Sequence, residues 1–293
     1  MNLGHSFYVE ELDTYKGLNL LEELGPYNNR SFLKIELDRL NCIDHSSGSS
    51  KIFVVKNHFE TIKQAETEVD SYLSPLFKIM RLFKEGEINM PFLYYFYDEN
   101  SIINVQRFSF YPQVFITSSA GKFTIDDEDV AKLSNLIKNI DRNNMSFEND
   151  ILKIALDNFD MSYYAHSTSI ALLDLSISLE ALFNPSGSEL GYRISRNAAT
   201  LIGKTNAESK IIYKFIKHIY SKRSKLVHTG IVGDPIKREE IVTLRSYVRQ
   251  SIKNFYKYTI DNPLVNHKNQ KTALLEVLEL SNFGDSPVKD LPW

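Results

Sequence analysis

From Phe147 to Ile260, apolar residues recur three and four positions apart in five successive blocks separated by short polar breaks. That period belongs to amphipathic helices, and short connections place neighbours antiparallel, so the stretch reads as a helical bundle. The blocks run from Phe147 to Ala165, Thr168 to Phe183, Ser188 to Ile202, Asn206 to Val227 and Pro235 to Ile260, with a shorter amphipathic piece from Lys271 to Leu280. The turn N-P-S-G-S-E, Asn184 to Glu189, stops one helix and starts the next, with Ser188 as the expected N-cap.

The leading part has a different period. Ser6 to Leu12, Ser31 to Leu40 and Lys51 to Phe59 alternate or run in β-branched and aromatic residues, as half-buried strands do. Pro91 to Tyr97, Ile102 to Tyr111 and Gln113 to Thr117 read the same way, with Asp98 to Ser101 as a hairpin turn. Between them Ile62, Ala65, Val69, Leu73, Leu76, Phe77, Met80 and Phe83 mark a long helix from Thr61 to Lys84, kinked at Pro75. The acidic run Asp126 to Asp129 suits the positive end of a helix reaching Ile140; consecutive helical residues diverge around the axis, so it is no metal site. The polar break Asp141 to Ser146 is the expected boundary. The expected fold class is thus an α+β N-terminal domain, residues 1–143, sensing or docking a ligand that the sequence does not identify, followed by an all-α helical bundle, 144–262, and a tail, 263–293, with a short amphipathic helix.

Composition limits the function classes. Of 293 residues, 43% are hydrophobic and 24% charged, an ordinary soluble balance. No stretch approaches the ~18 to 20 apolar residues of a spanning helix, and no secretory signal is visible, so a cytoplasmic setting without a membrane partner is expected. The lone Cys42 excludes an internal disulfide framework and a cysteine zinc site. The loop Asp44 to Lys51 has Gly, Ser and Lys but not the spacing of a phosphate-cradling loop. The net charge of -3 conceals an asymmetry: Arg193 to Lys257 holds 15 Lys and Arg against 4 Asp and Glu. A basic segment in an otherwise acidic chain points to a polyanionic partner, or else to solvated helix faces balancing the acidic half.

Within that segment lies Y-S-K-R-S-K-L-V-H-T-G, Tyr220 to Gly230. Arg223 continues the apolar stripe of Ile212, Ile216 and Ile219, so its guanidinium must be buried with a partner or face a surface needing fixed positive charge. His228 falls in the last turn before Gly230, where the negative end of the helix favours an imidazolium. Lys222, Arg223, Lys225 and His228 can equally be read as cations complementing a helix C-terminus. Glu180, placed between two apolar strips of its helix, needs a cation, with Arg193, Arg196 and Arg223 the candidates. An internal ion pair anchoring the bundle is the first reading of Glu180, and direct catalysis the second.

The runs L-D-L-S-I-S-L-E-A-L-F, Y-R-I-S-R-N-A-A-T-L-I-G and I-Y-S-K-R-S-K-L-V-H-T-G together resemble the HEPN superfamily, in particular ApeA-like HEPN domains, over Phe147 to Ile260. The superfamily signature, an Arg separated from a His by four to six residues with a polar residue after the Arg, maps onto Arg223, Ser224 and His228. Ser224 departs from the Asn, Asp or His common at that place. The resemblance implies a metal-independent endoribonuclease without cofactor, dimeric, with the Arg and His pairs of two copies forming one cleft. It implies attack of a ribose 2′-OH on the adjacent phosphate to give a 2′,3′-cyclic phosphate. His228 would move the proton, Arg223 hold the phosphate oxygens and Ser224 orient either group, with Glu180, Arg193 and Arg196 in support and Lys222 and Lys225 binding substrate. The expected partners are RNA in single strands or loops, tRNA included, a second copy of the chain, and a trigger or antitoxin at the N-terminal domain. A bacterial toxin or antiphage defence role is the implied setting. The alternative is a HEPN bundle that binds nucleotide, RNA or a partner without cutting.

Overall fold

The computed structural model describes residues 2–4, 7–13, 49–55, 75–86, 88, 92–98, 101–107, 123–140, 149–184, 189–230, 234–262 and 267–288. The chain divides into two compact units, Met1–Ser71 with Met90–Phe110, and Tyr72–Asn89 with Tyr111–Trp293. In the first, β1 (Asn2–Gly4), β2 (Phe7–Asp13) and β3 (Ser49–Val55) form an antiparallel ladder in that order, with Phe7 opposite Val55 and Asp13 opposite Ser49. A separate hairpin pairs β4 (Phe92–Asp98) with β5 (Ser101–Arg107).

The second unit is helical: α1 (75–83), α2 (Asp127–Ile140), α3 (Asp150–Met161), α4 (Thr168–Phe183), α5 (Leu190–Ile202), α6 (Asn206–Thr229), α7 (Arg238–Asp261) and α8 (His267–Leu280). The expected fold class, an α+β domain followed by an all-α bundle, is therefore corrected. The residues whose side chains are described form helices and no strand, and the strands amount to two short, separate pieces of backbone pairing. The helices assigned to the leading domain belong with the bundle, for a physical reason. Leu76, Ile79 and Leu82 of α1 and Leu133 and Leu136 of α2 are fully buried, and Lys78 reaches Asp157 of α3 at 2.6 Å. The expected boundary at Asp141 to Ser146 thus falls inside one compact unit, and so does the tail helix α8. Thr61 to Ser74, Ser31 to Leu40, Asp44 to Gly48 and Gln113 to Thr117 lie outside the described residues.

Local chemistry fixes the bundle. Asn149 caps α3 by accepting from the Ile151 and Leu152 N–H groups, and Ser167 and Thr205 cap α4 and α6. Helix α5 differs from the expected Ser188 cap. It begins after Glu189, which has a left-handed φ of 62° and makes no side-chain cap bond. Helices α3 and α4 form a hairpin tied by Ser178 Oγ, which donates to the Ala155 carbonyl at 2.8 Å, and α7 packs over both. Phe159, Leu172, Leu175, Leu179, Ile194, Ile216, Leu244, Val248 and Phe255 fill the centre with no exposed surface. Among the described residues, no helix is long and apolar enough to cross a membrane.

Candidate functional site

Helix α6 runs unbroken from Thr205 at its N-cap to Gly230, whose φ of 68° closes it in the left-handed conformation glycine adopts without strain. Its early turns bury Ile212, Ile216 and Ile219, and the same stripe then meets Tyr220 and Arg223. Arg223 Nη2 lies 3.0 Å from Glu180 Oε1, with the two side chains 23% and 21% exposed. Of the three candidate cations, Arg223 is therefore the partner of Glu180. The Tyr220 hydroxyl donates at 3.3 Å to the Ser176 carbonyl and lies 3.4 Å from the same Glu180 oxygen. Burial, and then the Glu180 charge, push the Tyr220 phenol well up, so it stays a neutral donor. Arg223 Nε is buried and has no acceptor among the described residues.

Ser224, Lys225 and His228 are exposed on the last two turns of α6. Because the helix does not end between Arg223 and His228, five residues place them about 140° apart around its axis. One chain thus presents the guanidinium toward α4 and the imidazole toward solvent on a different side.

The remaining candidates are engaged elsewhere. Lys222 is buried and donates to both Glu240 carboxylate oxygens at 2.8 Å. Burial alone would push the Glu240 carboxyl up, but Lys222 and the Lys237 N–H outweigh it and hold it below its ordinary value. Lys222 is thus a structural bridge from α6 to the start of α7. Arg196 donates to the Leu278, Glu279 and Ser281 carbonyls at 2.7, 3.1 and 3.1 Å, closing the C-terminus of α8. Arg193 lies 3.8 Å from the Glu279 carboxylate at the same end. The supporting set therefore separates: Glu180 joins Arg223, while Arg193 and Arg196 fasten α8.

Sequence reasoning missed a polar cluster where α1, α3 and α7 meet. Arg81 pairs with Asp160 at 2.5 Å, both almost without exposure. Arg249 donates to the Arg81 carbonyl at 2.8 Å and to the Tyr163 hydroxyl at 2.7 Å. The Arg245 guanidinium lies 4.2 Å from the Tyr163 ring centroid and donates to the Ser162 carbonyl. Burial lowers Arg245 to about 10 and Lys253, one turn beyond Arg249, to about 8. The i, i+4, i+8 spacing of Arg245, Arg249 and Lys253 was visible in the sequence as one helix edge. That this edge faces inward was not, because its acid, Glu85, which lies 3.9 Å from Arg249, stands 164 residues upstream of that arginine. Among the described residues, no group of three or more His, Cys, Asp and Glu comes together to hold a metal ion.

Comparison of this chain with protein-family models, with curated proteins and with solved structures finds no match.

Proposed function

We propose that the chain is a metal-independent endoribonuclease of HEPN type, acting as a homodimer through Arg223 and His228. The observation that carries the reading is the end of α6: a guanidinium oriented by Glu180 and retaining one N–H without an acceptor among the described residues, and an exposed imidazole five residues on, closed by Gly230. The 140° between them makes a second copy part of the proposal, since two antiparallel helix ends bring one copy's Arg223 toward the other's His228. An apolar surface for that copy lies next to Glu180. Ile170 and Ile177 of α4 are 45% and 41% exposed, and with Leu173 they continue at heptad-like spacing into Glu180.

The ribose 2′-OH attacks the adjacent phosphorus, the P–O5′ bond breaks, and a 2′,3′-cyclic phosphate and a free 5′-hydroxyl result. One His228 accepts the 2′-OH proton and the other delivers a proton to the departing 5′-oxygen. Arg223 holds the non-bridging oxygens and stabilises the charge growing on them, with Ser224 available as an orienting hydroxyl. The nucleophile is the substrate's own hydroxyl, so DNA is not cut, and unpaired loops, those of tRNA included, are the accessible targets. The proposed role is that of a cytoplasmic toxin or antiphage effector, with the trigger or antitoxin acting at the Met1–Ser71 and Met90–Phe110 unit. The Glu180–Arg223 ion pair also suits a second reading, a dimerising or nucleotide-binding bundle that does not cut. The two part on one experiment: total RNA incubated with purified protein in excess EDTA yields 2′,3′-cyclic phosphate ends on the first reading and intact RNA on the second.

A further inference from the structure

The solvent face of α6 differs from the solvated face of an ordinary bundle helix. On a helical projection Tyr213, Lys217, Ser224, Lys210, His228, Ser221, Lys214 and Lys225 share an arc of about 120°. That arc holds no Asp or Glu. The helix has a single acid, Glu208, in its first turn, where the carboxylate accepts from the Lys204 N–H at 3.0 Å. Lys210, Lys214, Lys217, Lys225 and His228 are exposed, and none has an acidic partner among the described residues. An ordinary exposed helix intersperses Glu at i±4 to relieve such repulsion.

Beside this row stands an aromatic group assembled from three elements. The Tyr192 ring at the start of α5 packs edge-on against Tyr213, with centroids 6.1 Å apart and planes at 82°. Phe283, just after α8, also leans on Tyr213, at 5.8 Å and 46°. Lys217 Nζ lies 3.2 Å from the Tyr213 hydroxyl and 5.5 Å from its ring centroid. Tyr192 is nevertheless 46% exposed, so the group presents ring surface to water instead of filling a core. Arg196 and Arg193, which fasten α8, thereby also hold Phe283 in place.

We infer that this face is a track for single-stranded RNA, with a base stacking on the Tyr192, Tyr213 and Phe283 group and the backbone running over Lys217, Lys214 and Lys225 toward His228. Aromatic rings next to unpaired cations are what a strand with exposed bases and phosphates requires, and a folded acidic protein would use the charge without the rings. Tyr213 and His228 are 15 residues apart on α6, about 22 Å along the axis, so the stacked base lies a few nucleotides from the scissile linkage. That the strand is RNA rests on the ribonuclease reading; the stacking and the charge row stand on the geometry.

The test uses the full-length protein and a fluorescent 2′-O-methyl oligouridine of about a dozen residues, which cannot be cut, followed by anisotropy. Tyr213→Leu weakens binding about tenfold while Tyr213→Phe stays within about twofold of wild type, and an abasic strand does not distinguish them. Lys214→Gln and Lys225→Gln each flatten the dependence of log affinity on log salt by about 0.7. Near-UV circular dichroism of each variant reports whether the fold is kept. Wild-type affinity in Tyr213→Leu overturns the track, as does equal binding of the abasic strand, which would leave a bare polyanion or acidic protein surface. A protein that binds the strand as described yet leaves RNA uncut contradicts the ribonuclease reading alone, and one that cuts RNA while indifferent to Tyr213→Leu contradicts the track alone.

Discussion

Removing the carboxylate of Glu180 probes the site through its stability. The Glu180–Arg223 pair, at 3.0 Å with both side chains about one-fifth exposed, stands between two regimes. Fully exposed pairs contribute about 0 to 1 kcal/mol, while breaking a buried pair costs about 3 to 5. Partial exposure places Glu180→Gln near 2 kcal/mol, because Gln keeps an acceptor for Tyr220 but leaves the guanidinium without its countercharge. For a helical unit of this size that is a fall in Tm of about 4 to 8 °C. Arg223→Met leaves the carboxylate unpaired at similar cost, and the double variant restores part of the loss. Urea denaturation of the two single variants and the double one gives a coupling energy of about 1 to 2 kcal/mol. A coupling within about 0.3 kcal/mol of zero, the scatter of independent sites, refutes the claim that Glu180 orients Arg223.

The buried cluster makes stability depend on pH. Lys253 binds its proton less tightly folded, about 8, than its ordinary 10.5 unfolded, so between those values the unfolded chain holds more protons and stability rises with pH. The gain approaches about 3 kcal/mol, and Lys253→Met removes this pH dependence and melts higher at pH 7; an unchanged slope above pH 8 contradicts the assignment. Arg196→Ala strips the last carbonyls of α8 of their donor, with an expected loss of about 2 kcal/mol and faster proteolysis between Leu280 and Val288 than elsewhere in the bundle. Protection equal to wild type at those residues would show that α8 is held by its apolar face alone.

Legibility followed the range of the interaction. The helices from α3 onward could be read because their period and the glycine closing α6 are local, and Glu180 could be seen to need a cation because its neighbours on the helix are apolar. The choice of Arg223 over Arg193 and Arg196 depends on which face α5 turns to α8, a tertiary fact. Lys222 misled for a related reason. Beside Arg223 in sequence it is some 100° away on the helix, toward Glu240. The α+β reading failed because α1 and α2, set among strand-like runs, carry apolar faces that only a distant bundle can cover. The aromatic group of Tyr192, Tyr213 and Phe283 has no signature at all, since its three rings come from elements up to 91 residues apart.

The central claim is that the Arg223 guanidinium and the His228 imidazole together cut RNA. Its most direct measurement is the cleavage rate of one unstructured RNA by wild type and by His228→Ala, with circular dichroism melting and sedimentation recorded on the same samples. His228 is exposed at the end of α6, and no hydrogen bond or ion pair of its side chain is found among the described residues. The account predicts an unchanged Tm and oligomeric state with cleavage reduced by at least about a thousandfold, the loss of both acid and base. Equal cleavage by the two proteins would contradict it.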